Sequence, residues 1–141
     1  MTDIMLSNEN MQYINMACKI TKAAIIDCMI TDDTLIFIVE KGQVGLAIGK
    51  NAKNLKKLRN MFKKNIKFVE FDKNKEKFIE NLCRPYNVKN IDLQGKEDEP
   101  IARVQVDSSD KSKIIGKGGK NIEIIRNLAK RHHSIKDVQI K

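Results

Sequence analysis

Tryptophan is absent from the 141 residues, and all aromatics together make up only 5%. That scarcity argues against a stacking platform crowded with rings, which many single-strand binders use. Cysteine is also scarce. Cys18, Cys28 and Cys83 are odd in number, far apart and without a Cys-x-x-Cys pair. The only histidines are the adjacent His132 and His133. A disulfide framework and a zinc site of the usual spacing are therefore unsupported, and the thiols read as reduced and buried. No apolar run approaches the roughly 18 residues of a membrane span. Residues 1–10 lack the basic start and apolar core of a secretory signal. These absences describe a cytoplasmic protein with no membrane contact, no metal site and no cofactor.

Catalytic constellations are missing too. No Ser-His-Asp or Cys-His arrangement stands out, and the acids are scattered. The chain reads as a non-enzyme with no catalytic residues. What is present is charge: 27 Lys+Arg against 18 Asp+Glu, a net +9. Hydrophobic residues make up 41%, enough for a folded chain of one domain or two very small ones. A positive balance favours polyanionic partners without choosing among them.

The chain contains a repeat. IGKNAKNLKKLRNMFKK (48–64) lies over IGKGGKNIEIIRNLAKR (115–131) without a gap, and eight of the 17 pairs are identical. The identities include Gly49/Gly116, Lys50/Lys117, Asn54/Asn121 and Arg59/Arg126. IKFVEF (66–71) then faces IKDVQI (135–140). Two copies of one module follow, with expected domains 1–72 and 73–141.

Each copy shows the same order of elements. Met11, Ile14 and Cys18 predict a helix capped by Ser7. Ile25–Ile30 and Thr34–Val39 are β-rich, with Asp32-Asp33 turning between them. Residues 42–49 form a short helix or turn. A helix over 51–64 places Leu55, Leu58 and Phe62 on one face, and 66–71 is a strand. The second copy predicts a helix at Lys75–Cys83, ended by Pro85, and strands at 88–93 and 101–106. A short helix over Ser108–Ile115 follows, capped by Asp107 or Ser108. A longer helix at 120–131 buries Ile122, Ile125 and Ala129, and a strand at 135–140 closes the copy. The order α-β-β-α-α-β, twice, describes an α+β fold in which each three-stranded sheet packs on helices.

The chemistry concentrates at Gly116-Lys117-Gly118-Gly119. Three glycines in four residues let a backbone turn tightly and approach another backbone. The following helix directs its positive end toward the turn, which attracts phosphate. Lys117 and Lys120 add charge, and Ile115 and Ile122 could floor a groove for bases. The first copy offers Ile48, Gly49, Lys50, Asn51, Ala52 and Lys53 in the same places. There, Ala52 replaces glycine, disfavours a positive φ and adds a Cβ where a phosphodiester would approach. The second copy is thus expected to be the stronger contact. Eight basic residues and no acid lie within 50–67, among them Lys56 and Lys57. Eight more lie within 111–136, including Arg126. His132-His133 read as a surface turn or an RNA-facing edge.

IIGKGGKNI (114–122) resembles the signature of a KH domain, AIGKNAKNL (47–55) is its partial match, and the element order resembles the type II form. Two linked copies resemble the tandem KH region of the NusA family of transcription factors, its archaeal members in particular. The resemblance covers essentially the whole chain. It implies a protein that grips single-stranded RNA and acts in transcription elongation or termination; RNA polymerase is a candidate further partner, not carried over by the resemblance itself, and a monomer is expected. Bacterial members carry a polymerase-binding domain and an OB-fold domain, for which 141 residues leave no room. A ribosomal or ribosome-assembly KH protein that binds rRNA is the alternative.

Overall fold

A computed structural model of the chain describes residues 7–141. Residues 1–6, part of the stretch read above as lacking a secretory start, lie outside the described residues. The architecture is α+β, with two separate three-stranded sheets. Of the described residues, 7–72 cluster as one compact unit and Lys73–Lys141 as another.

In the first unit, helix α1 (Asn8–Thr21) starts at Ser7, whose hydroxyl accepts a hydrogen bond from the Asn10 amide at 3.1 Å. Strands β1 (Ile25–Ile30) and β2 (Thr34–Val39) pair antiparallel, and β3 (Asn65–Glu70) runs parallel to β2. A parallel neighbour requires a crossover. Helices α2 (Val44–Ile48) and α3 (Lys53–Phe62) supply it. Leu35, Phe37 and Val39 alternate along β2 toward Ile14, Ala17, Ala47 and Leu58, all buried in one cluster. Leu58 is fully buried, worth about 2 kcal/mol of transfer free energy. Phe62 meets Tyr13 edge-on, with centroids 4.9 Å apart.

The second unit repeats this topology. Helix α4 (Lys75–Cys83) is capped by Asn74, which accepts from the Lys77 amide at 2.8 Å. Strands β4 (Val88–Gly95) and β5 (Pro100–Val106) are antiparallel, and β6 (Asp137–Ile140) is parallel to β5. Helices α5 (Ser108–Ile115) and α6 (Lys120–His133) make the crossover. Ala102, Val104 and Val106 are buried along β5, and Arg103 and Gln105 between them are not.

Several boundaries differ from the sequence reading. Helix α3 begins at Lys53, because Asn51 and Ala52 are left-handed. Strand β6 begins at Asp137: the Ile135 amide still bonds the Ala129 carbonyl of the preceding helix at 3.5 Å, and the Lys136 amide is the first to reach β5, at the Pro100 carbonyl 2.8 Å away. Asp107 is the N-cap residue of α5 but makes no side-chain cap. Its carboxylate instead pairs with Lys89 at 2.8 Å. His132 and His133 do not form a surface turn. They are half-buried in the last turn of α6, with ring centroids 5.5 and 5.3 Å from that of Phe78. No helix among the described residues is long and apolar enough to cross a membrane.

Candidate nucleic-acid interface

Each unit carries one glycine-led corner between its two crossover helices. Helix α2 ends where the Gly49 amide bonds the Gly45 carbonyl at 3.0 Å; α5 ends where the Gly116 amide bonds the Ser112 carbonyl at 2.9 Å. Gly49 (φ 80°, ψ 166°) and Gly116 (φ 79°, ψ 168°) then take a conformation that is essentially glycine-only. The next turn is left-handed in both copies. Asn51 (φ 56°, ψ 31°) matches Gly118 (φ 64°, ψ 18°), and Ala52 (φ 58°, ψ 28°) matches Gly119 (φ 75°, ψ 13°). The amides of Ala52 and Gly119 each close the turn on the carbonyl of Gly49 or Gly116, at 3.1 Å.

Ala52 thus adopts the very conformation that its Cβ disfavours, at a cost of about 1 kcal/mol relative to glycine. The backbone of the first turn survives the substitution. The Ala52 amide, however, is used inside the turn and does not point outward. The positive charge that both turns present outward then comes from the lysines and from the positive ends of α3 and α6.

The glycines divide by function. A Cβ on Gly49 would lie 2.9 Å from Asn54 Nδ2, and one on Gly116 would lie 2.8 Å from Asn121 Cβ. These two positions are filled from inside the protein. At Gly118 a Cβ would meet nothing within 4 Å, and at Gly119 only Ile122 Cγ2 at 3.9 Å. That side of the turn is open, which leaves room for another backbone to approach.

The predicted cations separate in the same way. Lys50, Lys53, Lys56 and Lys57 are exposed on the first unit, as are Lys117 and Lys120 on the second. None of these six forms an ion pair among the described residues. Arg126 is placed differently. Its Nη1 lies 2.8 Å from Glu123 Oε1, and its Nε lies 3.0 Å from both Asp137 Oδ1 and the Val138 carbonyl oxygen. It ties α6 to β6, and its charge is met by two carboxylates. Its repeat partner Arg59 is exposed and unpaired among the described residues. In the first copy Lys56 stands where Glu123 does and Phe68 where Asp137 does. Lys64 is likewise used internally, donating to the Thr31 carbonyl at 2.6 Å.

Of the apolar residues, Ile48 and Ile115 are half-buried beside the turns. Ile122 is only 4% exposed. It supports the turn from beneath and does not present a floor. Sequence reasoning missed two features. Leu46 on α2 is 49% exposed next to the first turn, whereas the second copy has Lys113 there. Asn54 and Asn121 were visible as an identical pair in the repeat, yet received no role.

Comparison with known proteins supplies the family. A profile for the KH domain matches residues 12–93, running past Asp72 into β4. A profile described as the NusA-like second KH domain matches residues 75–141. The protein from Halobacterium salinarum named "Probable transcription termination protein NusA" is 33% identical over 137 residues, which are 97% of this chain and 98% of that one. The protein of the same name from Methanocaldococcus jannaschii is 29% identical over 140 residues, 99% of this chain and 76% of its own. The crystal structure of APE1850 matches with a TM-score of 0.80 at 29% identity, covering 96% of this chain and all of that one. With two matching α-β-β-α-α-β units and a glycine-led corner in each, the chain belongs to the NusA-like family of tandem KH-domain proteins.

Proposed function

We propose that this protein is an RNA-binding transcription factor that grips single-stranded RNA with its two glycine-led turns and acts at elongation or termination. The observation that carries the reading is the matched pair of corners. Each has a left-handed turn, an exposed lysine inside it and a basic helix behind it, and in the second copy the turn is open at Gly118 and Gly119. Anions collect at such helix starts, and Gly-x-x-Gly loops clamp a nucleotide backbone. Lys50, Lys53, Lys56 and Lys57 contact phosphates in the first unit, and Lys117 and Lys120 in the second. Ile48 and Ile115 touch the bases. The two units, divided between Asp72 and Lys73, act as two RNA modules. The chemistry is scaffolding of nascent RNA without bond making or breaking.

The transcription setting comes from the names of the relatives, which are termination proteins. RNA polymerase is accordingly the protein partner. Crosslinking in cells, with identification of the bound RNAs and the co-purified machine, tests this. Nascent transcripts together with RNA polymerase are expected. Recovery of rRNA with small ribosomal subunits would move the protein to ribosome assembly instead.

A further inference from the structure

Two residues outside the charged set hold both turns in shape. Asn54 Nδ2 donates to the Leu46 carbonyl at 3.2 Å, and Asn121 Nδ2 donates to the Ile114 carbonyl at 2.7 Å. Each bond spans the corner, from the first turn of the long helix back to the last turn of the short one. Each Asn side chain also occupies the space that a Cβ on the leading glycine would need. The two halves of this arrangement depend on each other. The glycine admits the asparagine, and the asparagine pins the two helices across the corner.

We propose that Asn54 and Asn121 are the positioning residues of the RNA-binding turns, each acting through a Gly–Asn lock with Gly49 or Gly116. Neither side chain need touch RNA. The lock sets the angle between short and long helix, and so aims Lys50 or Lys117 and the open side of the turn at one phosphate path. Without it the corner still forms through the Gly49–Gly45 and Gly116–Ser112 amide bonds, but its two helices are free to splay. A loosened corner must be reordered on binding, which lowers affinity. The effect on RNA rests on the function proposed above.

The test uses the full chain, Asn121→Ala, and a labelled single-stranded RNA of mixed sequence. Removing one neutral hydrogen bond that orders a site should weaken binding by roughly three- to tenfold. Circular dichroism at the titration temperature should show the variant fully folded. The RNA-induced shifts of the Gly118 and Gly119 amides in a ¹H–¹⁵N spectrum should shrink, which a purely structural role would not cause in a folded protein. A stability cycle supplies a readout independent of RNA. Gly49→Ala should destabilise the wild type more than it destabilises Asn54→Ala, because the Asn54 Nδ2 and Cγ atoms that a Cβ on Gly49 would meet at 2.9 and 3.0 Å are gone in the latter. Wild-type affinity with unchanged amide shifts in Asn121→Ala, or an additive cycle, would overturn the lock. Failure of the wild-type chain itself to bind would instead overturn the RNA reading, and the cycle would still decide whether the lock exists.

Discussion

Replacing Lys117 and Gly118 together by Asp is expected to weaken RNA binding by about 100-fold and to leave the fold intact. The turn tolerates the change because Gly118 is left-handed at φ 64°, and Asn51 already holds the equivalent place in the first turn. Asp and Asn are the non-glycine residues that visit this region most readily, and a Cβ there meets nothing within 4 Å. The charge at the turn changes by three units, from +1 to −2. A charge-assisted contact worth about 2 kcal/mol is lost, and repulsion of about 1 kcal/mol per close charge pair in water replaces it. The total of about 3 kcal/mol corresponds to the stated factor. Anisotropy titration with a melting curve of the same sample reads both quantities. A folded variant with wild-type affinity would remove the second turn from the interface.

The paired arginines Arg59 and Arg126 are expected to part company when each is changed to Ala. Arg126→Ala should destabilise the second unit by about 1–2 kcal/mol. It removes a charge-assisted bond to the Val138 carbonyl and two partly exposed ion pairs, and it leaves Asp137, the first residue of β6, without its cation. Arg59→Ala should leave stability within a few tenths of a kcal/mol, as an exposed unpaired residue does. On RNA the order reverses. Arg59→Ala weakens binding several-fold, and Arg126→Ala has little effect at temperatures where it is folded. Denaturant unfolding and RNA titration of the two variants side by side decide this. Equal losses of affinity would mean that Arg126 leaves its carboxylates to meet phosphate.

The repeat made most of the fold legible. Apolar spacing placed α1 and the cores of α3 and α6, Pro85 marked the end of α4, and alternation along 101–106 placed β5. Where reading failed, tertiary context overrode a local preference. Ala52 is a strong helix former, and its local preference agrees with a helix over 51–64. The corner holds it left-handed because the Gly49 carbonyl takes its amide. At Ile135 and Lys136 a strand-like pattern is real. The residues nevertheless serve as the approach to β6, with Ile135 buried and the Lys136 amide bound to Pro100. The histidine pair looked like a surface end because nothing in the sequence placed Phe78 against it.

The site was legible in outline and not in its division of labour. The glycine spacing and the repeat were enough to place both turns, and the lysines within them are exposed. Arg126 was counted with them because identity across a repeat says nothing about partners. Glu123, three residues before it, was the available sign. Ile122 reads as a groove residue because it flanks the glycines, although the helical period already places it inward, where it is buried. The role of the leading glycines is tertiary: a Cβ there would run into Asn54 or Asn121, which no local pattern reveals.

The salt dependence of binding of the wild-type chain to a single-stranded RNA is the most direct check that the two turns and their helices hold phosphates. With about four to six phosphates neutralised, log K should fall against log salt with a slope of about −3 to −4. A slope near zero, or no binding at low salt, would contradict a phosphate grip by the exposed lysines of the two turns.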